Sequence, residues 1–155
     1  RGLGDVYKRQ RRYFEDLFKR SLERAQRHQE TFVLALFDVD DLKEVNDSHG
    51  HLAGDQLLLA TANALQTSCR ASDIMGRLGG DEFIAVYHQA ELEAMERSIA
   101  TIRSRLRARP LRLGDAEQRS SFSFGLARFP EDGADLDALV AVADKRLYAM
   151  KSAQP

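Results

Sequence analysis

Asp81 and Glu82 stand beside two glycines in Arg77-Leu78-Gly79-Gly80-Asp81-Glu82-Phe83. Adjacent carboxylates next to residues without side chains can present a hard cation to a bulky anion. Apolar runs flank them, Ile74-Met75 before and Phe83-Ile84-Ala85-Val86-Tyr87 after. Short apolar runs joined by a Gly-Gly turn read as a β-hairpin over about 74–88, with glycines free to take positive φ. A second pair of acids, Asp38 and Asp40, ends the β-rich run from Thr31 to Phe37. That run reads as a central strand covered on both faces. A strand period of two puts Asp38 and Asp40 on one side. Alone, Asp38-Val39-Asp40 reads more readily as a solvated strand end than as a metal site. Next to a hairpin tip bearing Asp81 and Glu82, it can share Mg²⁺, which takes oxygen ligands and keeps substrate phosphates in its shell. An EF-hand fits poorly, because Leu42 and Lys43 fall where a ligand and a glycine belong. No P-loop is present.

The elements that must hold these acids follow from periodicity. Residues 1–10 show no clear period and read as a loose lead-in. Phe14, Leu17, Phe18, Leu22 and Ala25 fall at helical spacing, predicting a helix over about 11–28. After Asp41 comes a short helical turn through Leu42 and Val45, broken at Ser48-His49-Gly50. A longer helix over about 52–69 carries Leu58, Ala62, Leu65 and Cys69 on one face. Leu92, Met95, Ile99, Ile102 and Leu106 predict an amphipathic helix that stops before Pro110. A short strand near 111–113 leads through a Gly-Asp turn to a long strand from Arg119 to Phe129. A last helix spans about 135–151. Helices alternating with strands around a hairpin predict an α+β domain, a mostly antiparallel ferredoxin-like sheet flanked by helices.

The 155 residues fit one domain, and 43% hydrophobic with 30% charged residues is ordinary for a soluble globular chain. A formal net charge of −1 gives no global pull toward nucleic acid or a membrane. Eighteen of the 23 basic residues are Arg, a side chain suited to bidentate phosphate and guanine contacts. For most of these arginines a GC-rich genome is the readier explanation. Cys69, the single cysteine, excludes a disulfide within the chain and a Cys-based zinc site, and reads as a core residue. No run of about 18 apolar residues spans a membrane, and no signal peptide is visible. The chain starts at Arg1 rather than Met, as expected for a piece of something longer.

The segment Asp38-Val39-Asp40-Asp41-Leu42-Lys43-Glu44-Val45-Asn46-Asp47-Ser48-His49-Gly50-His51-Leu52-Ala53-Gly54-Asp55 resembles D-x-D-x-F-K-x-[IV]-N-D-x-x-G-H-x-x-G-D. That pattern and Gly79-Gly80-Asp81-Glu82-Phe83 are the two signatures of the GGDEF family. The likeness runs from about Arg11 to Lys151. It implies a nucleotidyl-cyclase-like fold and a diguanylate cyclase, which joins two GTP into cyclic di-GMP and two pyrophosphates at a homodimer interface. By resemblance, Asp38, Asp81 and the Val39 carbonyl hold Mg²⁺ (or Mn²⁺). Glu82 is a second metal ligand or a base for the 3′-hydroxyl. Asn46 and Asp55 match guanine readers, a role their donors and acceptors suit. Lys43 and Lys151 match phosphate contacts, and the amides of Asp41 and Leu42 face the phosphates. Gly79 and Gly80 let the nucleotide approach the main chain. His51 matches a structural histidine.

Arg70-Ala71-Ser72-Asp73 stands where the family has its inhibitory cyclic di-GMP site, with Arg97, Arg103 or Arg105 as candidate partners. The resemblance further implies an N-terminal sensory domain in the full-length protein and a cytoplasmic location. A catalytically silent cyclic di-GMP receptor and a GTP-sensing regulatory domain are the alternatives. Two departures stand out. Residues 1–10 do not match the family's D-x-L-T-G-L-x-N-R-R and are a candidate non-native lead-in to a single domain over 11–155. Pro155 stands where the family has an arginine that contacts the triphosphate.

Overall fold

The computed structural model of the chain describes residues 3–154. Eleven elements follow in order: α1 (Leu3–His28), β1 (Phe32–Val39), α2 (Leu42–His49), α3 (His51–Gln66), β2 (Ile74–Arg77), β3 (Glu82–His88), α4 (Leu92–Arg107), β4 (Leu111–Leu113), β5 (Ala116–Gln118), β6 (Phe122–Phe129) and α5 (Leu136–Ser152). β2, β3, β1 and β6 form one sheet in that order, and every pairing is antiparallel. β4 and β5 make a separate two-stranded ribbon. The expected α+β ferredoxin-like plan is therefore present.

β1 is the centre. Its residues from Phe32 to Phe37 are all buried. Even positions Phe32, Leu34 and Leu36 pack with Phe14 and Phe18 of α1 and Leu139, Ala143 and Leu147 of α5. Odd positions Val33, Ala35, Phe37 and Val39 pack with Val45 of α2, Leu57 and Leu65 of α3 and Ile99 of α4. A strand covered on both faces needs no polar alternation, which is why its sequence is apolar throughout. Phe32 stacks on Phe129 at 4.8 Å between ring centroids and meets Phe18 edge-on at 5.7 Å. Asp38 and Asp40 continue the even series, so they leave the core on the α1/α5 side.

α5 lies closer to the sheet than side chains normally permit. A Cβ on Gly125 would sit 2.0 Å from the Ala143 carbonyl oxygen and 2.5 Å from the Leu147 nitrogen. Only glycine lets the helix backbone rest on β6 there. Arg146 pins the same helix, donating to the Leu126 carbonyl at 2.7 Å and to Asp132 at 2.9 Å. Asp135 caps its start by accepting from the Ala138 amide at 2.9 Å. These contacts decide where the end of α5 falls relative to β1.

Four expectations are corrected. α1 begins at Leu3, so most of the supposed loose lead-in is helical. Lys8, Arg9, Gln10, Arg11 and Arg12 are good helix formers, and a helix can continue where no apolar stripe is needed. β6 starts at Phe122 rather than Arg119, because 116–118 form the separate β5. α3 ends at Gln66, which leaves Cys69 half-buried in the following loop. Its deepest stripe is Ala53, Leu57, Thr61 and Leu65, with Leu58 and Ala62 at the margin.

Gly125→Ala should lower unfolding stability by roughly 3 kcal/mol, since the obstruction is backbone and no side chain can yield. Urea denaturation measures this, and a loss below about 0.5 kcal/mol would show that α5 is not held against β6 as described.

Candidate active site

The Gly-Gly turn connects β2 to β3 through residues 78–81, closed by the Leu78 amide donating to the Glu82 carbonyl at 2.9 Å. Arg77 ties down the loop by donating to the carbonyls of Gly79 at 2.9 Å and Gly80 at 2.6 Å. The glycines do not use the positive φ expected of them. Among the described residues, Gly50 and Gly114 are the glycines with positive φ. A Cβ on Gly79 or Gly80 would meet nothing within 4 Å. What these two residues supply is open space over the loop.

Sheet register brings the acids together. Asp38 pairs with Glu82 on β3 and with Ser123 on β6. Directly opposed residues share a face, so Glu82 and Asp38 lie on one side. The Val39 amide donates to the Asp81 carbonyl at 2.9 Å, which fixes the hairpin tip to the end of β1. Asp40 accepts from the Ser123 hydroxyl at 2.9 Å. Lys151, at the end of α5, donates to Oδ2 of Asp38.

The other oxygen of Asp38, Oδ1, is buried with no partner. Burial is the main reason the Asp38 carboxyl is pushed up to about 6, with the adjacent Asp81 adding to the shift and Lys151 opposing it. Burial works against the Lys151 ammonium as well. Its bond to Asp38 and the nearby Asp40 and Asp81 nonetheless hold its pKa above the ordinary lysine value.

A buried orphan carboxylate oxygen beside a second carboxylate fits a divalent cation. Among the described residues no group of three His, Cys, Asp or Glu side chains gathers as a closed metal site. Two carboxylates plus a carbonyl leave the remaining positions to water and phosphate, which is how Mg²⁺ is usually held.

A cleft of about 590 Å³ opens beside these acids. Of the candidate site residues, Val39, Asp41, Leu42, Lys43, Asp81 and Lys151 line it, while Asp38, Gly79 and Gly80 do not. Glu82 is exposed at the start of β3 and lies outside the lining. Arg103, Arg107, Arg119, Ser121 and Gln154 also line it, and the sequence reading did not place them there. They come from α4, from the approach to β6 and from the end of α5, so no spacing along the chain could have grouped them.

The N-terminus of α2 opens at the cleft. Asp41 is its N-cap, with φ 64°, and its side chain makes no capping bond. Burial, followed by repulsion from Asp40 and Glu44, raises the Asp41 pKa. Lys43 and Asn46 are three residues apart on α2 and share a face. Asn46 lies against α3, where a Cβ on Gly54 would fall 1.8 Å from its Oδ1. Gly54 thus makes room for Asn46 beside Asp55. Asn46 and Asp55 stand apart from the cleft lining, at the α2–α3 junction made by Gly50 with φ 87°.

The Arg70–Asp73 motif sits at the other end of β3, roughly 20 Å from the hairpin tip at about 3.3 Å per strand residue. Asp73 accepts from the Arg70 amide at 2.8 Å and from the His88 amide at 3.0 Å. Its side chain is only 1% exposed, while that of Arg70 is 59% exposed. Arg70 also donates to the His88 carbonyl, and the His88 ring bonds Ser21 of α1 at 2.8 Å. Asp73 is therefore occupied as a turn-closing acceptor, which also takes the Arg70 Nε at 3.4 Å, and the Arg70 side chain, though tied to Asp73 and His88, stays largely exposed. Among the candidate partner arginines, Arg103 belongs to the other cleft, where it donates to the Phe122 carbonyl at 2.6 Å. Arg105 lies near Thr67, and Arg97 near Arg128. Pro155 lies outside the described residues.

The fold and the hairpin-bearing cleft define a nucleotidyl-cyclase-like domain. The family model described as "Diguanylate cyclase, GGDEF domain" matches residues 9–155, and the chain belongs to this family. The chain is 36% identical over 142 residues to the diguanylate cyclase DosC of Escherichia coli, covering 91% of this chain and 31% of that protein. It resembles the crystal structure of the GGDEF domain of YfiN (TpbB) from Pseudomonas aeruginosa, with 34% identity, TM-score 0.84, and coverage of 93% and 90%. It also resembles the GGDEF domain of DgcB from Caulobacter crescentus, solved in complex with c-di-GMP, with 27% identity, TM-score 0.83, and coverage of 92% and 84%. The chain spans less than a third of the length of the first curated relatives it matches. Among the described residues no helix is long and apolar enough to cross a membrane.

The raised Asp38 pKa predicts a pH signature. The native state keeps a proton that the unfolded chain releases near its ordinary value of 3.8. The associated stability is present below about pH 4 and is lost as pH rises through about 6. With chelator present, Asp38→Asn, which keeps an acceptor for Lys151, should flatten this fall. Equal pH slopes for both proteins in thermal unfolding would contradict the assignment.

Proposed function

We propose that this chain is a diguanylate cyclase module that condenses two GTP into cyclic di-GMP and two pyrophosphates. The observation that carries the reading is the partnerless buried oxygen of Asp38 beside Asp81, the latter lining a cleft rich in cations. Asp38, Asp81 and the Val39 carbonyl would hold Mg²⁺ or Mn²⁺. When bound, the ion supplies charge neutralisation and orientation at the reacting phosphate.

The chain's own residues do the rest. Asn46 and Asp55 would read the guanine edge, with Gly54 keeping Asn46 in place. Lys43, Lys151 and the free amides at the start of α2 would hold the phosphates, as helix N-termini do for anions. Gly79 and Gly80 leave room for nucleotide to lie on the hairpin. The 3′-hydroxyl oxygen of one GTP attacks the α-phosphorus of the other. Its proton passes to a carboxylate, for which Glu82 is placed on the Asp38 side, or to water. The bond to the β-phosphate oxygen breaks and pyrophosphate leaves, and the reciprocal attack by the other GTP's 3′-hydroxyl closes the ring and releases the second pyrophosphate. Each domain supplies one nucleotide, so two copies must face each other and positioning supplies much of the rate.

Product inhibition through Arg70 and Asp73 belongs to the same reading. Its support is the exposed Arg70 guanidinium beside a hollow of about 620 Å³. Asp73 would first have to release the amides it now accepts from. That makes the silent-receptor alternative the weaker one. Because the curated relatives are much longer than this chain, we place the module within a larger signalling protein.

Cyclic di-GMP made from GTP and Mg²⁺ should rise more steeply than linearly with protein concentration and vanish in Asp81→Ala. Chromatographic quantification checks it. If a zipper-fused dimer also makes no product, the cyclase reading is wrong.

A further inference from the structure

Three arginines converge on the cleft, and none of them meets a carboxylate there. Arg103 and Arg107 stand one turn apart on α4, and Arg119 precedes β6. Like charges four apart on a helix repel each other unless an anion lies between them. Arg103 uses its Nε on the Phe122 carbonyl at 2.6 Å, which holds the head in place and leaves its terminal nitrogens unused. The guanidinium groups of Arg107 and Arg119 have no hydrogen-bond or ion-pair partner among the described residues, the Arg119 carbonyl alone accepting from the Gln118 side chain at 3.0 Å. Elsewhere arginines find carboxylates: Arg128 pairs with Glu131, Arg146 with Asp132 and Arg112 with Glu117. Asp40, Asp41 and Glu44 also line this cleft, yet none pairs with the three arginines.

A second observation comes from the cleft wall. The Ser121 hydroxyl is buried and has no hydrogen-bond partner. Ser121 lines the same cleft, and its carbonyl accepts from the Asp40 amide at 3.0 Å. An orphan hydroxyl donor beside unpaired guanidinium groups awaits an acceptor-rich ligand.

We propose that Arg107 and Arg119, backed by Arg103 and Ser121, bind the outer phosphates of the nucleotide and make the site selective for triphosphate over diphosphate. This rests on the GTP reading of the cleft. Lys151 lies beside Asp38 and Asp81, where the inner phosphates would sit, and Lys43 lines the same cleft from α2. The arginines form the remaining wall, and a planar guanidinium fork matches a terminal phosphate with three free oxygens. The same wall would hold pyrophosphate as it leaves.

Calorimetry on the full chain tests this with three probes: the α,β-methylene analogue of GTP, GDP and inorganic tripolyphosphate. In Arg107→Ala/Arg119→Ala, affinity for the analogue and for tripolyphosphate should fall about tenfold or more, and GDP should change less than about twofold. Arg107→Lys/Arg119→Lys should recover part of the loss, because charge returns without the fork. Both residues are exposed, so the unfolding midpoint should stay put. Equal weakening of GTP analogue and GDP, or no weakening of either, would overturn the proposal. Asn46→Ala separates the two readings: it should weaken analogue and GDP together and spare tripolyphosphate. If the wild type binds no guanine nucleotide while tripolyphosphate binding still needs the arginines, the GTP reading fails and the anion wall stands.

Discussion

Two carboxylates forced together at the end of a buried strand are the constraint on which this domain turns. Asp38 cannot move away from Asp81, because sheet register and the Val39–Asp81 backbone bond fix both ends of the contact. Burial raises the cost of their charges, and only one oxygen of Asp38 finds a cation, Lys151. Lys151 reaches it because Gly125 lets α5 rest on β6. A contact between a helix backbone and a strand, far from any reacting atom, thereby sets the electrostatics of the cleft.

Much of this was readable along the chain. The β1 run, the acids after it and the hairpin were visible because each is a local pattern. The helix-strand order was enough for the sheet plan. What stayed hidden has physical reasons. Residues 3–10 carry no apolar stripe, so periodicity had nothing to register, although their propensity is helical. β5 is three residues long and too short for a period. The glycines of the hairpin were read for positive φ, while their service is absence of bulk. Arg107 and Arg119 are ordinary surface arginines until the fold folds α4 beside the approach to β6.

The Arg70–Asp73 segment shows the limit of motif reading. The spacing of its two residues carries no information about how deeply each is buried. In the fold Asp73 is buried and accepts from the amides of Arg70 and His88 and from the Arg70 Nε at 3.4 Å, while the rest of the Arg70 side chain is largely exposed. A carboxylate so engaged stabilises the turn between α3 and β2 and ties it to the end of β3. His88 extends the tie to Ser21 on α1.

Because β1 is buried on both faces, the position of the site is stored in the parity of one strand. Even residues look toward α5, and odd ones toward α3. A single-residue insertion between Phe32 and Asp38 would leave an apolar strand that still satisfies both cores. It would nevertheless turn Asp38 to the α3 side, away from Lys151. Inserting two residues would restore parity but advance the carboxylate by about 6.6 Å along the strand. The apolar run thus tolerates substitution of one aliphatic residue by another far better than any change in length. Length, rather than composition, is what this strand transmits to the chemistry at its end.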